Sequence, residues 1–292
     1  MSDFQQHITG VVILPMHNER EAAAVLLPAV RRALDGLPGA WRIVVVDDAS
    51  TDGLAEVVAQ LGAEVVQLPF NVGHQAAIRK GLQSVQYAEW CFVMDGDGED
   101  DPAALERLWA ARVERGVVFA RRGRRQEGVR FRLGYFAYRL LYRAVIGRPM
   151  RHGNFALLHR SVAERLGEEG FVHFAAALDR LQPPSAEVLV DRLPRLGGRS
   201  KMSYRKLAVH GLMSLVEQSE AMVHAMFLVF LLVLLGIGGL LTFILQARFV
   251  THTAIPGWTS TLIVGLGNAG LICFIGFILG LVALNFQKRK TK

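Results

Sequence analysis

Cysteine is almost missing from this chain. Among 292 residues there are two, Cys91 and Cys273, one in a strand-like apolar run and one in a long apolar stretch. They supply neither a disulfide framework nor a cysteine metal cage. Residues 1–8 lack an apolar signal core, so the first domain is expected to stay in the cytoplasm. Internal repeats and low-complexity segments are absent as well. Acidic charge is in deficit, with 26 Asp and Glu against 33 Lys and Arg and a formal net charge of +7. The basic residues gather at 121–151, 192–206 and 288–292, patches suited to nucleic acid, anionic lipid or a phosphorylated substrate. Charge is scarcest in the last quarter, which holds much of the 51% hydrophobic content.

Against that background one acidic loop stands out. The apolar run Trp90-Cys91-Phe92-Val93-Met94 feeds directly into Asp95, Asp97, Glu99, Asp100 and Asp101, and Pro102 closes the loop. Carboxylates crowded this way repel one another unless a cation neutralises them. Hard oxygen ligands on a short loop suit Mg²⁺ or Mn²⁺. A divalent ion held there could neutralise a nucleotide diphosphate and help it depart. The plainer alternative is a solvated acidic turn after a buried strand.

The rest of the first half places that loop in a pattern. Apolar strands are predicted at 11–15, 42–46, 64–68, 90–94 and 116–120, with helices over 20–35, 54–61, from 74 to about 85, and 103–114. The second strand is apolar without alternation, as expected of a parallel strand covered on both faces. Strand–helix alternation predicts an α/β fold with a doubly wound, mostly parallel sheet. Ligands of such sheets sit at the carboxyl ends of the strands. The polar clusters 17–19, 47–53, 71–74 and 95–101 all fall at that edge. Asp47 and Asp48 also suit helix caps or turns, and His17 and His74 also suit ordinary loop histidines.

Arginines 121, 122, 124 and 125 follow the fifth strand at the same edge, where guanidinium groups can grip phosphate oxygens in pairs. The aromatic helix expected over 131–146 suits either a membrane surface or a domain core. A strand or turn-strand is expected at 153–158, a short helix capped by Ser161, a helix over 171–181 and a strand over 187–193. A second basic cluster holds Arg195, Arg199, Lys201, Arg205 and Lys206, ahead of an amphipathic segment at about 204–220.

Met222 to Leu245 and Thr261 to Phe286 are each long enough to cross a bilayer core of about 30 Å. The connector 246–260 has one basic residue, Arg248, while the tail 287–292 has four. The positive-inside rule then places the tail and residues 1–220 in the cytoplasm. The expected organisation is a catalytic domain over 1–203, an amphipathic juxtamembrane helix over 204–220, and two transmembrane helices with a basic tail over 221–292. The localisation expected is the cytoplasmic (inner) membrane, multi-pass.

Val11–Glu19, Val45–Gly53, Asn71–Gly73 and Met94–Pro102, in this order, resemble the nucleotide-sugar motifs of glycosyltransferase family 2. Arg122–Arg125, Gly153–Leu158, Arg195–Met202 and the terminal helix pair resemble its polyprenyl-phosphate branch. The resemblance implies a GT-A-like fold with a C-terminal transmembrane hairpin, and an inverting, metal-dependent transfer from a nucleotide sugar to a polyprenyl phosphate. It implies that Pro15, His17, Glu19, Asp47, Asp48 and Asn71 line the nucleotide pocket. Asp95 would sit by the ribose and diphosphate, within reach of the metal. Asp97, with Glu99 in the place of a frequent glutamine, would hold Mg²⁺ or Mn²⁺. Arg122 and Arg125 would meet the acceptor phosphate and complete the catalytic set with Asp95 and Asp97. Arg195, Ser200 and Lys201 would sit near the phosphates beside the membrane. Asn154 stands where the family often has aspartate and cannot act as a base, which suits an acceptor that is already anionic. Transfer to a non-phosphate lipid or glycan, and a non-catalytic membrane scaffold, are the alternatives. Nucleic-acid binding would explain the basic patches but neither the acidic loop nor the spans, so no nucleic-acid partner is expected. Homo-oligomerisation is left open.

Overall fold

A computed structural model describes residues 8–84, 88–122, 136, 138, 140, 142–147, 153–196, 204–251 and 257–290. The chain divides into two compact units: Met1–Arg139 with Met150–Glu217, and Leu140–Pro149 with Gln218–Lys292.

The first unit opens with β1 (Ile8–Met16), α1 (Arg20–Asp35), β2 (Ala40–Asp47), α2 (Leu54–Gln60), β3 (Glu64–Gln67), α3 (His74–Ser84), β4 (Trp90–Val93), α4 (Ala104–Ala110) and β5 (Val117–Arg122). It continues with β6 (Ala156–His159), α5 (Arg160–Glu169), α6 (Phe174–Leu181), β7 (Ser185–Val190) and α7 (Tyr204–Glu217). The seven strands lie in the order β3-β2-β1-β4-β6-β5-β7. β1 is parallel to β2 and β4, β2 to β3, and β5 to β7. β6 alone runs antiparallel, to both β4 and β5.

Both faces of the sheet are covered, and the period of two along β1 divides the core between them. Val12 and Leu14 join Leu26, Leu27 and Val30 of α1 and Leu105 and Leu108 of α4. Val11 and Ile13 join Ile78 and Leu82 of α3, Val162 and Leu166 of α5, and Phe174 of α6. This is the doubly wound α/β arrangement that the alternation predicts. At Gly81, α3 presses on β1 so closely that an added Cβ would lie 2.5 Å from Ile13 Cγ2 and 3.0 Å from Val46 Cγ2. Overpacking a filled core costs about 1–3 kcal/mol, and alanine's better helix propensity returns about 1 kcal/mol of that. Gly81→Ala is therefore expected to lower stability by about 1 kcal/mol, read as a lower thermal midpoint with the wild-type far-UV spectrum.

Several local expectations shift. The cap of α5 is His159, whose ring accepts from Ser161 N, rather than the Ser161 side chain. The strand predicted at 187–193 is β7 at 185–190, and the residues after it leave the sheet. α4 stops at Ala110, short of the expected 114. Of the helix expected over 131–146, residues 136, 138, 140 and 142–146 are helical, and the others lie outside the described residues.

The second unit contains α8 (Ser219–Phe249) and α9 (Trp258–Lys290). Both are long and apolar enough to cross a membrane. They pack on each other through Phe227 with Phe277 and Phe230 with Phe274, at ring centroid distances of 5.1 and 5.5 Å. Outward-facing side chains such as Leu232, Leu235 and Leu279 are exposed, which does not fit helices buried in a globular core.

Candidate active site

β1, β2, β3 and β4 end at one edge of the sheet, with Met16 paired to Asp47 and Asp47 to Gln67. Two of the loops leaving this edge are tied together. Asn18 N donates to Ser50 Oγ, Thr51 N donates to Asn18 Oδ1, and Arg20 N donates to Asp52 Oδ2, at 2.8–2.9 Å. Asn18 and Ala49 hold left-handed backbone angles, with φ of 52° and 58°, where the two loops interlock.

Asp47 and Asp48 are both buried. Asp47 Oδ1 accepts from Ser50 N at 2.8 Å. Asp48 Oδ1 and Oδ2 accept from Val72 N and Gly73 N at 2.7 and 2.9 Å, and so fix the loop ahead of α3. The Asp48 carbonyl lies 2.8 Å from His17 Nδ1 and accepts from Asn71 Nδ2 at 3.3 Å. Pro15 lies against the acidic loop: a Cβ on Gly96 would be 2.8 Å from its carbonyl oxygen. The structure thus brings Pro15, His17, Asp47, Asp48 and Asn71 together, and both carboxylates hold loop backbone.

The acidic loop is divided between two environments. Asp95 Oδ1 is 3.1 Å from His74 Nε2 and accepts from Asn154 Nδ2 at 3.2 Å. Burial lowers the His74 pKa, but the hydrogen bond to Asp95 and the charges of Asp95, Asp97 and Glu19 outweigh it, so the imidazole sits above the ordinary histidine value. Asp97 faces the other way. Its Oδ1 accepts from Glu99 N at 3.0 Å and its Oδ2 from Arg195 Nη2 at 2.5 Å. Arg195 also approaches Glu19 Oε1 at 3.6 Å and Glu99 Oε1 at 3.7 Å, and Arg192 pairs with Glu99. Asp100 is buried and accepts from Asp95 N at 3.1 Å, which shapes the loop from beneath.

Residues 192–196 lie along this loop as a short strap. Asp100 and Arg192 form an antiparallel bridge, Leu193 N donates to Glu99 O, and Leu196 N donates to Asp97 O. Gly98 makes the approach possible: its φ is +76°, and an added Cβ would lie 2.4 Å from Leu196 Cδ1.

Among the described residues no three His, Cys, Asp or Glu side chains stand together as a ready metal cluster. Glu19, Asp97 and Glu99 nevertheless aim carboxylate oxygens at one cationic group, the Arg195 guanidinium. A hard-oxygen set converging on positive charge fits Mg²⁺ or Mn²⁺ chemically.

Of the remaining site residues suggested by the sequence, one is described, and it lies at the same carboxyl edge. Arg122 ends β5, with its backbone paired to Val190. Arg125, Ser200 and Lys201 lie outside the described residues. Three contributors carry no motif signal. Arg192 opens the basic patch at 192–206 and pairs with Glu99. Gln75 spans Phe174 N and Asn154 Oδ1 at 2.6 and 3.4 Å. His173 and His210 face each other across 3.1 Å.

Comparisons with known proteins agree with the geometry. Solved structures with this fold include mannosyl-3-phosphoglycerate synthase from Rubrobacter xylanophilus, at TM-score 0.55 and 19% identity over 73% of each chain. They also include glucosyl-3-phosphoglycerate synthase from Mycobacterium tuberculosis in complex with Mn²⁺, UDP-glucose and phosphoglyceric acid, at TM-score 0.57 and 18% identity over 74% of this chain and 80% of that one. Undecaprenyl-phosphate 4-deoxy-4-formamido-L-arabinose transferases of Salmonella choleraesuis and Salmonella newport are each 28% identical over 158 residues, covering 51% of this chain and 47% of theirs. The chain therefore spans about half the length of these curated relatives. The family model described as glycosyl transferase family 2 matches residues 11–167, the stretch that carries β1 to β6, the interlocked loops and the acidic loop, and the chain belongs to that family.

Proposed function

We propose that this chain is an inverting, metal-dependent glycosyltransferase that moves a sugar from a nucleotide sugar onto a polyprenyl phosphate at the cytoplasmic face of the membrane. The observation that carries the reading is the convergence of Glu19, Asp97 and Glu99 on one cationic position at the carboxyl edge of a family 2 domain. Two helices of membrane-spanning length follow that domain. The relatives named for undecaprenyl phosphate support the lipid acceptor.

In this reading Pro15, His17, Glu19, Asp47, Asp48 and Asn71 form the nucleotide pocket. Asp97 and Glu99, with Glu19 beside them, are the side chains that would hold Mg²⁺ or Mn²⁺, which would supply charge neutralisation for the departing diphosphate; Asp95, turned toward His74 and Asn154, is left to the ribose and diphosphate. The solved neighbour containing Mn²⁺ and a nucleotide sugar supports that assignment. An acceptor phosphate oxygen forms the new bond to the anomeric carbon as the bond to the donor diphosphate breaks on the opposite face, and the nucleoside diphosphate leaves. The acceptor is already an anion, so no base has to remove a proton, and Asn154 at the Asp95 side chain fits that requirement. Arg122, Arg125, Arg195, Ser200 and Lys201 neutralise phosphate charge, and alignment with charge compensation supplies most of the rate. The helices Ser219–Phe249 and Ser260–Ala283 anchor the catalytic domain, and the basic tail favours the orientation with that domain and the tail on the cytoplasmic side.

The test is a panel of nucleotide sugars with purified full-length protein, undecaprenyl phosphate and Mn²⁺. The expected product is a lipid-linked sugar that mild acid releases, as a sugar phosphodiester requires. An acid-stable glycolipid, or transfer only to an uncharged polyprenol, would overturn the phosphate acceptor.

A further inference from the structure

The strap at 192–196 places a cation where the acidic loop needs one. Arg195 meets Asp97 at 2.5 Å and stands within 4 Å of Glu19 and Glu99, and its side chain is only 22% exposed. Two backbone hydrogen bonds and the Leu196 contact on Gly98 hold it there. Charge-assisted bonds of this kind are roughly twice as strong as neutral ones. Separating the pair leaves partly buried charges uncompensated.

We propose that Arg195 is a binding residue that couples metal and diphosphate, so that the two bind together. Its guanidinium engages the carboxylate oxygens that a divalent ion must use. A metal arriving alone has to separate Arg195 from Asp97, Glu19 and Glu99 and gains no compensation for doing so. A metal arriving with a diphosphate gives the released guanidinium an anion of its own, bound by the same bidentate geometry. The two ligands therefore assist each other, and the assistance is reciprocal because it is a coupling free energy. The consequence is selectivity: the site discriminates against bare metal and against metal-free nucleotide, and accepts the charge-matched pair.

This inference rests on the metal-and-donor reading of the acidic loop, and its test needs neither sugar nor lipid acceptor. Mn²⁺ binding to the full-length protein in detergent is measured from loss of the free-ion EPR signal, first without nucleotide and then with UDP or GDP. Arg195→Gln is expected to tighten Mn²⁺ binding without nucleotide by at least about tenfold, within the usual range of such couplings. The same variant should reduce the gain in Mn²⁺ affinity that the nucleotide gives. Arg195→Lys keeps the charge but not the paired geometry, so its Mn²⁺ affinity without nucleotide should stay nearer wild type than that of Arg195→Gln while the gain from nucleotide is reduced. Adding Asp97→Asn to Arg195→Gln should abolish the gain. Leu196→Gly loosens the strap with Arg195 intact and should also tighten Mn²⁺, which decides the matter if Arg195→Gln fails to fold. Equal affinity in wild type, Arg195→Gln and Leu196→Gly would overturn the proposal, as would a gain that survives Asp97→Asn. Mn²⁺ bound by no variant, with or without nucleotide, would overturn both this proposal and the metal reading. The expected Mn²⁺ shifts without sugar transfer to any acceptor would overturn the proposed activity alone.

Discussion

Asp97→Ala is expected to lower sugar transfer to lipid phosphate by at least about a hundredfold, the loss typical of a single preorganised charge stabiliser. The substitution removes the acceptor for Glu99 N and the shortest partner of Arg195 in one step. The loop should nonetheless keep its shape. Asp100 still receives Asp95 N from beneath, Arg192 still pairs with Glu99, and Leu193 N and Leu196 N donate to main-chain oxygens that the mutation leaves in place. The defect should therefore appear in transfer rather than in folding. Initial rates at saturating donor and a thermal midpoint on the same preparation separate the two. Raising Mn²⁺ should restore little, because a missing ligand oxygen is not replaced by mass action on the ion. Activity within about tenfold of wild type would remove Asp97 from the catalytic set, since that loss is well below what a positioned charge normally supplies.

What could be read from the chain depends on the range of the interaction. The strands at 11–15 and 42–46 are legible because each is an apolar run bounded by a proline or by polar turn residues, and burial on two faces leaves no ambiguity of period, whereas the edge strand Glu64–Gln67 is half-exposed and shows only Val65 and Val66 as its apolar signal. The antiparallel direction of β6 was not legible. It is set by pairing with β4 and β5, strands far off in sequence, and nothing local in Ala156–His159 encodes that. The division within the acidic loop was hidden for a similar reason. Asp95 and Asp97 are two apart and look equivalent in sequence, yet one faces His74 and Asn154 and the other faces Arg195, 98 residues away. Asp48 could be read as either a pocket residue or a turn residue. The structure shows it gripping the backbone at 72 and 73, a contact between loops that no local rule anticipates. Arg195 was visible as part of a basic cluster, but its pairing with three acids required the strap to fold back along the loop.

Acid is expected to destabilise the first unit through His173, by about 2 kcal/mol at pH 5. This histidine is buried at the start of α6, where its Nδ1 accepts from Ala176 N at 3.3 Å. A backbone N–H can only donate, so the ring proton must reside on Nε2, which faces His210 Nε2 at 3.1 Å. A second proton would have to enter at Nδ1 and would break the helix cap. Burial, with the nearby His210, pushes the His173 pKa down to about 3 from its ordinary value of 6.5. The unfolded chain therefore takes up a proton below pH 6.5 that the folded chain refuses. Stability contributed by the neutral ring is complete above pH 6.5 and falls as pH drops toward 3. At about 1.4 kcal/mol per pH unit, the loss at pH 5 is about 2 kcal/mol. For a domain of this size that corresponds to a thermal midpoint roughly 4–8 °C lower than at pH 7. His210 is also lowered, by burial and then by His74, and adds a smaller effect of the same sign. His173→Asn supplies the control, because asparagine caps a helix without titrating. Its midpoint should depend much less on pH between 7 and 5. His74, raised above the ordinary histidine value, works in the opposite direction in both proteins, so the difference between them is the readout: equal pH dependence in wild type and His173→Asn would show that the ring is protonated in the folded protein and does not cap α6.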